Sequence, residues 1–160
     1  MSGNSPNKVN IKGASRFYPG LWMLFAGFLY FFFVNAASSQ CIGFARAVVK
    51  PELAPYIHDG NYNATILGEG ETIILQKTVF QGQKYRLVVK GVPVLPPVRF
   101  RVMDADQVIF DNANHDFAPK WDFNAEITRT LSVEVSITED EDEDSTKGGC
   151  IAVLVGIKPE

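Results

Sequence analysis

Two cysteines, two histidines and no clustered cations leave this 160-residue chain little of the usual material for chemistry. Cys41 and Cys150 have no second cysteine near them, which excludes a CxxC redox pair and a cysteine zinc site. No GxSxG elbow occurs, and no serine is flanked by a plausible base. No glycine-rich phosphate loop occurs either: Gly68-Glu69-Gly70 enters a strand-like stretch rather than a helix. Lysine and arginine form no stripe, which argues against nucleic acid as a partner, because phosphate binding needs clustered cations. These absences point away from an enzyme and from a resident cofactor, with a Ca²⁺ loop as the one exception to weigh.

Acids are also missing from the N-terminal third. None precedes Glu52, whereas Lys8, Lys12 and Arg16 come before an uncharged run, Leu21–Val34. The net charge is −3, and without those three cations the remainder carries −6. Cations, an apolar run and then the small residues Ala36-Ala37-Ser38-Ser39 follow the order of a secretory signal peptide. Cleavage is expected after Ala36, which places residues 1–36 in a leader. The rival reading is an uncleaved anchor, for which the run is short against the roughly 20 apolar residues of a span. In both readings the cations stay cytoplasmic and the rest crosses the membrane. The domain is then periplasmic, at the cell surface or secreted, or held at the inner membrane if the leader stays. Ser38 and Gln40 do not match a lipobox ahead of Cys41.

In an oxidising compartment two cysteines favour a disulfide over two buried thiols. A Cys41–Cys150 bridge would close nearly the whole exported chain and stabilise it by about 4–5 kcal/mol on loop entropy.

From Thr72 the pattern has period two. Tyr85, Leu87 and Val89 alternate with Arg86, Val88 and Lys90, and Leu131, Val133, Val135 and Ile137 alternate with polar residues. Alternate side chains of a strand point to opposite faces, so each run has one apolar and one wet face. Half-solvated strands imply antiparallel pairing. Gln81-Gly82-Gln83, the prolines between Val92 and Val98, and Asp104-Ala105-Asp106-Gln107 mark breaks. Near Arg129 no glycine, proline or asparagine marks a turn, so one long bent strand is an alternative there. The pattern predicts an all-β, antiparallel, jelly-roll-like sandwich over 72–160. A strap over 37–71 precedes it, with Ile42–Tyr56 as a short helix or extended segment, because Pro51 and Pro55 forbid a long helix.

The loop after Phe110 carries Asp111, Asn112, Asn114 and Asp116, oxygen donors suited to Ca²⁺ but without EF-hand spacing. His58-Asp59 and His115-Asp116 would form a metal site only if their loops met. A polar sandwich loop and solvated histidines are the plainer explanation. The acidic run Glu139–Asp144 is expected to be an extended loop. Arg86, Arg99 and Arg101, with Lys90, lie on polar strand faces and are candidate binding residues.

TVFQGQKYRLVV, FRVMDADQVIFDN and WDFNAEITRTLSVEVSI together resemble secreted or periplasmic β-sandwich proteins of bacterial envelopes. More loosely, they are similar to the bacterial pre-peptidase C-terminal domain. The resemblance spans Thr72 to Ile157 through Phe80-x-Gly82-x-x-Tyr85, the Asp104–Asp111 hairpin, the Trp121 strand and the Gly149-Cys150 strand. It implies a fold and no active site. The functional expectation is a non-enzymatic binding or accessory module whose partner is an envelope protein or glycan. The alternative is a membrane-tethered structural subunit, touching the membrane only through its N-terminal segment.

Overall fold

Alternation becomes two antiparallel sheets facing each other. The computed structural model describes residues 36–138 and 148–159, all within the unit Asn35–Glu160. The leader run and Glu139–Asp144 lie outside the described residues. In the first sheet β4 (Lys84–Gly91) sits between β7 (Lys120–Asn124) and β9 (Gly148–Ile157), and β9 pairs on its far side with β1 (Ile57–His58) and β2 (Asn63–Gly68). The second sheet runs β3 (Thr72–Val79), β8 (Arg129–Ile137), β5 (Val98–Asp104), β6 (Gln107–Asp111). All pairings are antiparallel. The all-β antiparallel sandwich expected from the sequence is what forms. Strand pairing begins before Thr72, since β1 and β2 both add to β9.

The core lies between the sheets. Leu87, Val89, Val153 and Val155 on one inner face meet Phe100, Val102, Leu131 and Val133 on the other. Between them remains a gap of about 10 Å³, lined by apolar atoms and the stem of Lys77. That gap has room for at most about one water.

Two strands depart from the one-wet-face expectation. Leu87, Val88 and Val89 of β4 and all of Ile151 to Val155 in β9 are buried. The cause is a third layer. Helix α1 (Ala36–Phe44) continues through a π-type turn (Ala45–Val49) into a 3₁₀ turn (Lys50–Leu53). Pro51 stands in the first turn of the 3₁₀ segment, where a missing N–H costs nothing. Ala45, Val49 and Leu53 pack on Val88, Ala152 and Leu154. The strap expected over Ile42–Tyr56 is therefore helical and laid on the sheet.

It is clamped at both ends. Cys41 and Cys150 form a disulfide, with Cα atoms 5.1 Å apart. Further along, Glu52 accepts from Lys90 and Lys120, and Arg86 Nη1 donates to the Ala54 carbonyl at 2.6 Å. Gly156 lets the strap close, because a Cβ there would lie 2.7 Å from Tyr56 Cβ.

The break near Arg129 is real. Residues 125–128 carry the chain from β7 in one sheet to β8 in the other. The Gly82 N–H donates to the Ala125 carbonyl at 2.8 Å, and the Gln81 N–H to Thr128 Oγ1 at 3.0 Å. Odd-numbered residues point inward on both sides of the crossing, so the parity is kept, although Ile127 within it is exposed.

The open sides of the sandwich are closed differently. On one, inward-facing Lys77 of β3 pairs with Asp59 just after β1. On the other, Tyr85, Phe123, Trp121, Phe110 and His115 form a ladder of rings 4.2–5.4 Å apart.

Candidate functional site

The candidate cations are occupied by acids on neighbouring elements. Arg86 makes a two-pronged contact with Asp122, at 2.7 and 2.6 Å, beneath Tyr56. Arg99 holds Asp111 at 3.2 and 2.5 Å, and Arg101 Nε donates to Glu134 at 3.0 Å. Lys90 is taken by Glu52. The hydrogen bonds from Arg99 hold the Asp111 carboxyl below the usual carboxylate range, against a smaller effect of burial. Arg86 does the same for Asp122. These arginines tile strand faces with paired charge.

Among the described residues no three His, Cys, Asp or Glu side chains come together as a metal-holding group. His58 contacts the Asn61 carbonyl through Nε2 at 3.1 Å and packs on Tyr62, while His115 stacks flat on Phe110. Asp111 also accepts from the Ala113 N–H, capping the 3₁₀ turn Asn112–His115, in which Asn114 stands exposed. Asp116 takes the left-handed conformation that ends that turn, with φ 52° and ψ 36°. The DNANHD segment is thus built as a loop scaffold.

That scaffold has a keystone. Asn112 is completely buried. Its Oδ1 accepts from the Phe100 N–H at 2.8 Å, and its Nδ2 donates to the carbonyls of Val98, at 3.0 Å, and Ala118, at 3.4 Å. One side chain thereby ties the 112–119 loop to the start of β5. Backbone bonds from Phe117 N–H to Asn112 O and from Ala118 N–H to His115 O complete the loop. Phe117 follows Asp116 into the left-handed region, with φ 53°. A phenylalanine reaches that conformation only against steric cost, about 1–2 kcal/mol.

Opposite this loop lies the connection 92–97. Val92 N–H donates to the Cys150 carbonyl at 2.9 Å, and Leu95 N–H to Val92 O at 3.0 Å. Gly149 makes room, since a Cβ there would lie 2.6 Å from Val92 Cγ2. Between the two segments opens a cleft of about 290 Å³ walled by Val92, Pro93, Leu95, Pro96, Phe117 and Pro119. Among the described residues, Lys90 is the one ionisable side chain on it. Val94, beside these walls in sequence, is 62% exposed, and Phe117 is 36% exposed. Four prolines line the cleft and fix φ along both walls, so little entropy is lost when it is filled. The cleft is at the lower end of small-molecule pocket sizes and open, which suits protruding side chains better than an enclosed ligand.

Sequence reasoning read Pro93, Pro96 and Pro97 only as breaks between strands, and Asn112 only as an oxygen donor. The prolines and Phe117 lie some twenty positions apart in sequence, and nothing local signals that they meet. An available hint was the density of apolar residues in VPVLPP, which exceeds what a turn requires.

No protein-family model and no curated protein matches the chain, and the resemblance to the pre-peptidase C-terminal domain stays an expectation. Among solved structures it is similar to PliG of Aeromonas hydrophila, a periplasmic inhibitor of g-type lysozyme. The TM-score is 0.48 and the identity 13%, over 64% of this chain and 88% of that one. It is also similar to PliG of Salmonella Typhimurium, with a TM-score of 0.42 and 11% identity over 61% of this chain and 89% of that one. At this overlap and identity the likeness carries no argument about what the chain does.

Proposed function

We propose that the chain is an exported, non-enzymatic binding module that grips an envelope protein through the cleft between 92–97 and 112–119. The carrying observation is Phe117, part-exposed on the cleft wall in a conformation that costs stability, on a loop held by the buried Asn112. Backbone strain of that kind persists where the surroundings enforce it and clusters at recognition sites. A protein fits better than a glycan. The described walls are mostly apolar, and the Phe110, Trp121 and Phe123 rings stack on one another rather than offering both faces to sugar. The leader-like N-terminus and the Cys41–Cys150 bridge support an oxidising compartment outside the cytoplasm.

The test is a binding assay with Phe117→Asn. Asparagine tolerates the left-handed region better than phenylalanine. The account expects the variant to be at least as stable as the parent, yet to bind its envelope partner more weakly by about tenfold or more, as for an apolar anchor. Ile74→Asp, a change on the outward face of the second sheet, should leave binding intact. Purified g-type lysozyme, which the two PliG proteins inhibit, is one defined probe. Loss of binding on Ile74→Asp with retention on Phe117→Asn would reject the cleft.

A further inference from the structure

The strap is apolar on both sides, and only one side is used. Its inner positions Ala45, Val49 and Leu53 fill the layer over β4 and β9. Over residues 43–55 its exposed positions, apart from two cations, are Gly43, Ala47, Val48, Pro51, Ala54 and Pro55. Val48 is 43% exposed, and a Cβ on Gly43 would meet nothing within 4 Å. Among these stand two exposed cations, Arg46 and Lys50, both over the Tyr62 ring, at 5.0 and 5.9 Å. Among the described residues neither forms an ion pair. The one acid of the strap, Glu52, is turned under it toward Lys90 and Lys120.

This distribution runs against the charge of the chain. The part after the leader run is acidic overall, yet the outward strap face holds cations and no acid. Water-facing surface normally carries both signs. An apolar strip bordered by arginine and lysine is instead the pattern of a segment lying in a bilayer interface, apolar side toward the acyl boundary and cations among anionic headgroups. The strap also follows the Leu21–Val34 run closely in sequence.

We infer that the outward face of residues 43–55 seats on an anionic phospholipid surface. Arg46 and Lys50 meet headgroup phosphates, while Val48, Ala47 and Pro51 enter the interfacial layer. The acidic remainder of the domain is repelled by the same surface, which orients the molecule strap-down. With two cations and little apolar area the contact is weak, reversible and salt-sensitive.

Vesicle flotation of the mature chain, Ala37 to Glu160, tests this. That stretch contains both cysteines, every described strand and all but the first residue of the strap helix. Vesicles of equal phosphatidylglycerol and phosphatidylcholine should retain at least about fivefold more protein than phosphatidylcholine alone, and high salt should remove the difference. Arg46→Glu with Lys50→Glu should reduce retention to the phosphatidylcholine level. So should Val48→Asp, whose melting temperature should match the parent because the side chain faces out. Equal retention on both vesicles, or full retention by the double variant, overturns the inference. Self-association in solution that Val48→Asp abolishes would assign the face to a second copy instead.

Discussion

The side chain on which the loop architecture depends most is Asn112. It is completely buried and bonds three backbone groups. Asn112→Ala leaves the Phe100 N–H and the Val98 carbonyl without partners, at about 1–3 kcal/mol for each buried group. Asn112→Asp keeps the acceptor but loses both donated bonds. Urea unfolding should show both variants destabilised, alanine by about 3 kcal/mol, while Ile74→Ala on the exposed face changes little. Ala105 offers the reverse case. It has φ 50° in the two-residue link of the β5–β6 hairpin. Ala105→Gly should stabilise by about 0.5–1 kcal/mol, since glycine reaches that conformation without steric cost. A lower urea midpoint would contradict this.

Among the elements, the strap is the one whose removal exposes a whole apolar face. Loop entropy assigns the Cys41–Cys150 bridge, with a sequence separation of 109, about 4–5 kcal/mol. The double variant Cys41→Ala with Cys150→Ala should lose much of that stability yet keep its strand signal by circular dichroism, because Glu52, Arg86 and the Leu53 packing still hold the strap. Gly156→Ala forces Tyr56 outward and should make the segment 50–56 more sensitive to limited proteolysis, with the bridge intact. The same clamps set an acid dependence. Asp111 and Asp122 are held below their ordinary pKa by Arg99 and Arg86. For Asp59 and Glu52 burial raises the pKa, but their lysine partners and, for Asp59, the Asn61 N–H outweigh it. Carboxylates with lowered folded pKa bind fewer protons when folded than when unfolded. Their contribution is complete above the unfolded value, near 4, and is lost as pH falls through the folded values. The melting temperature should be flat from pH 7 down to about 5 and fall steeply below 4. Lys77→Met should flatten that fall by removing the partner of Asp59, and an unchanged profile would contradict the assignment.

In the whole molecule, what the sequence made legible is what repeats locally. The alternation in Leu131–Ile137 and Tyr85–Val89 places inner and outer faces correctly, because the pleat imposes a period of two wherever one face is dry. The Phe80-x-Gly82-x-x-Tyr85 spacing is explained by a corner: Tyr85 Oη accepts from the Phe80 N–H at 2.9 Å, and Gly82 has φ 83°. The Cys41–Cys150 pairing followed from compartment and count. What stayed hidden depends on contacts between distant segments. Val88, Ala152 and Leu154 are dry only because the strap covers them. The sheet crossing at 125–128 preserves parity. Arg99 and Arg101 look free in sequence, but Asp111 and Glu134 stand on neighbouring strands. The cleft needs two loops and the Asn112 keystone, and only folding brings them together.

Export is tested by mass spectrometry of the native protein: the account expects a mature chain beginning at Ala37, and an intact N-terminus would favour the tethered alternative. The claim that the cleft is the working surface is tested most directly by a photo-crosslinking residue placed at Val94, and separately at Ile74, in cells that make the protein. Both positions are well exposed, at 62% and 64%, so accessibility alone does not distinguish them. The account predicts a discrete protein adduct at Val94 that Phe117→Asn suppresses, and none at Ile74. An adduct at Ile74 with none at Val94 would contradict it.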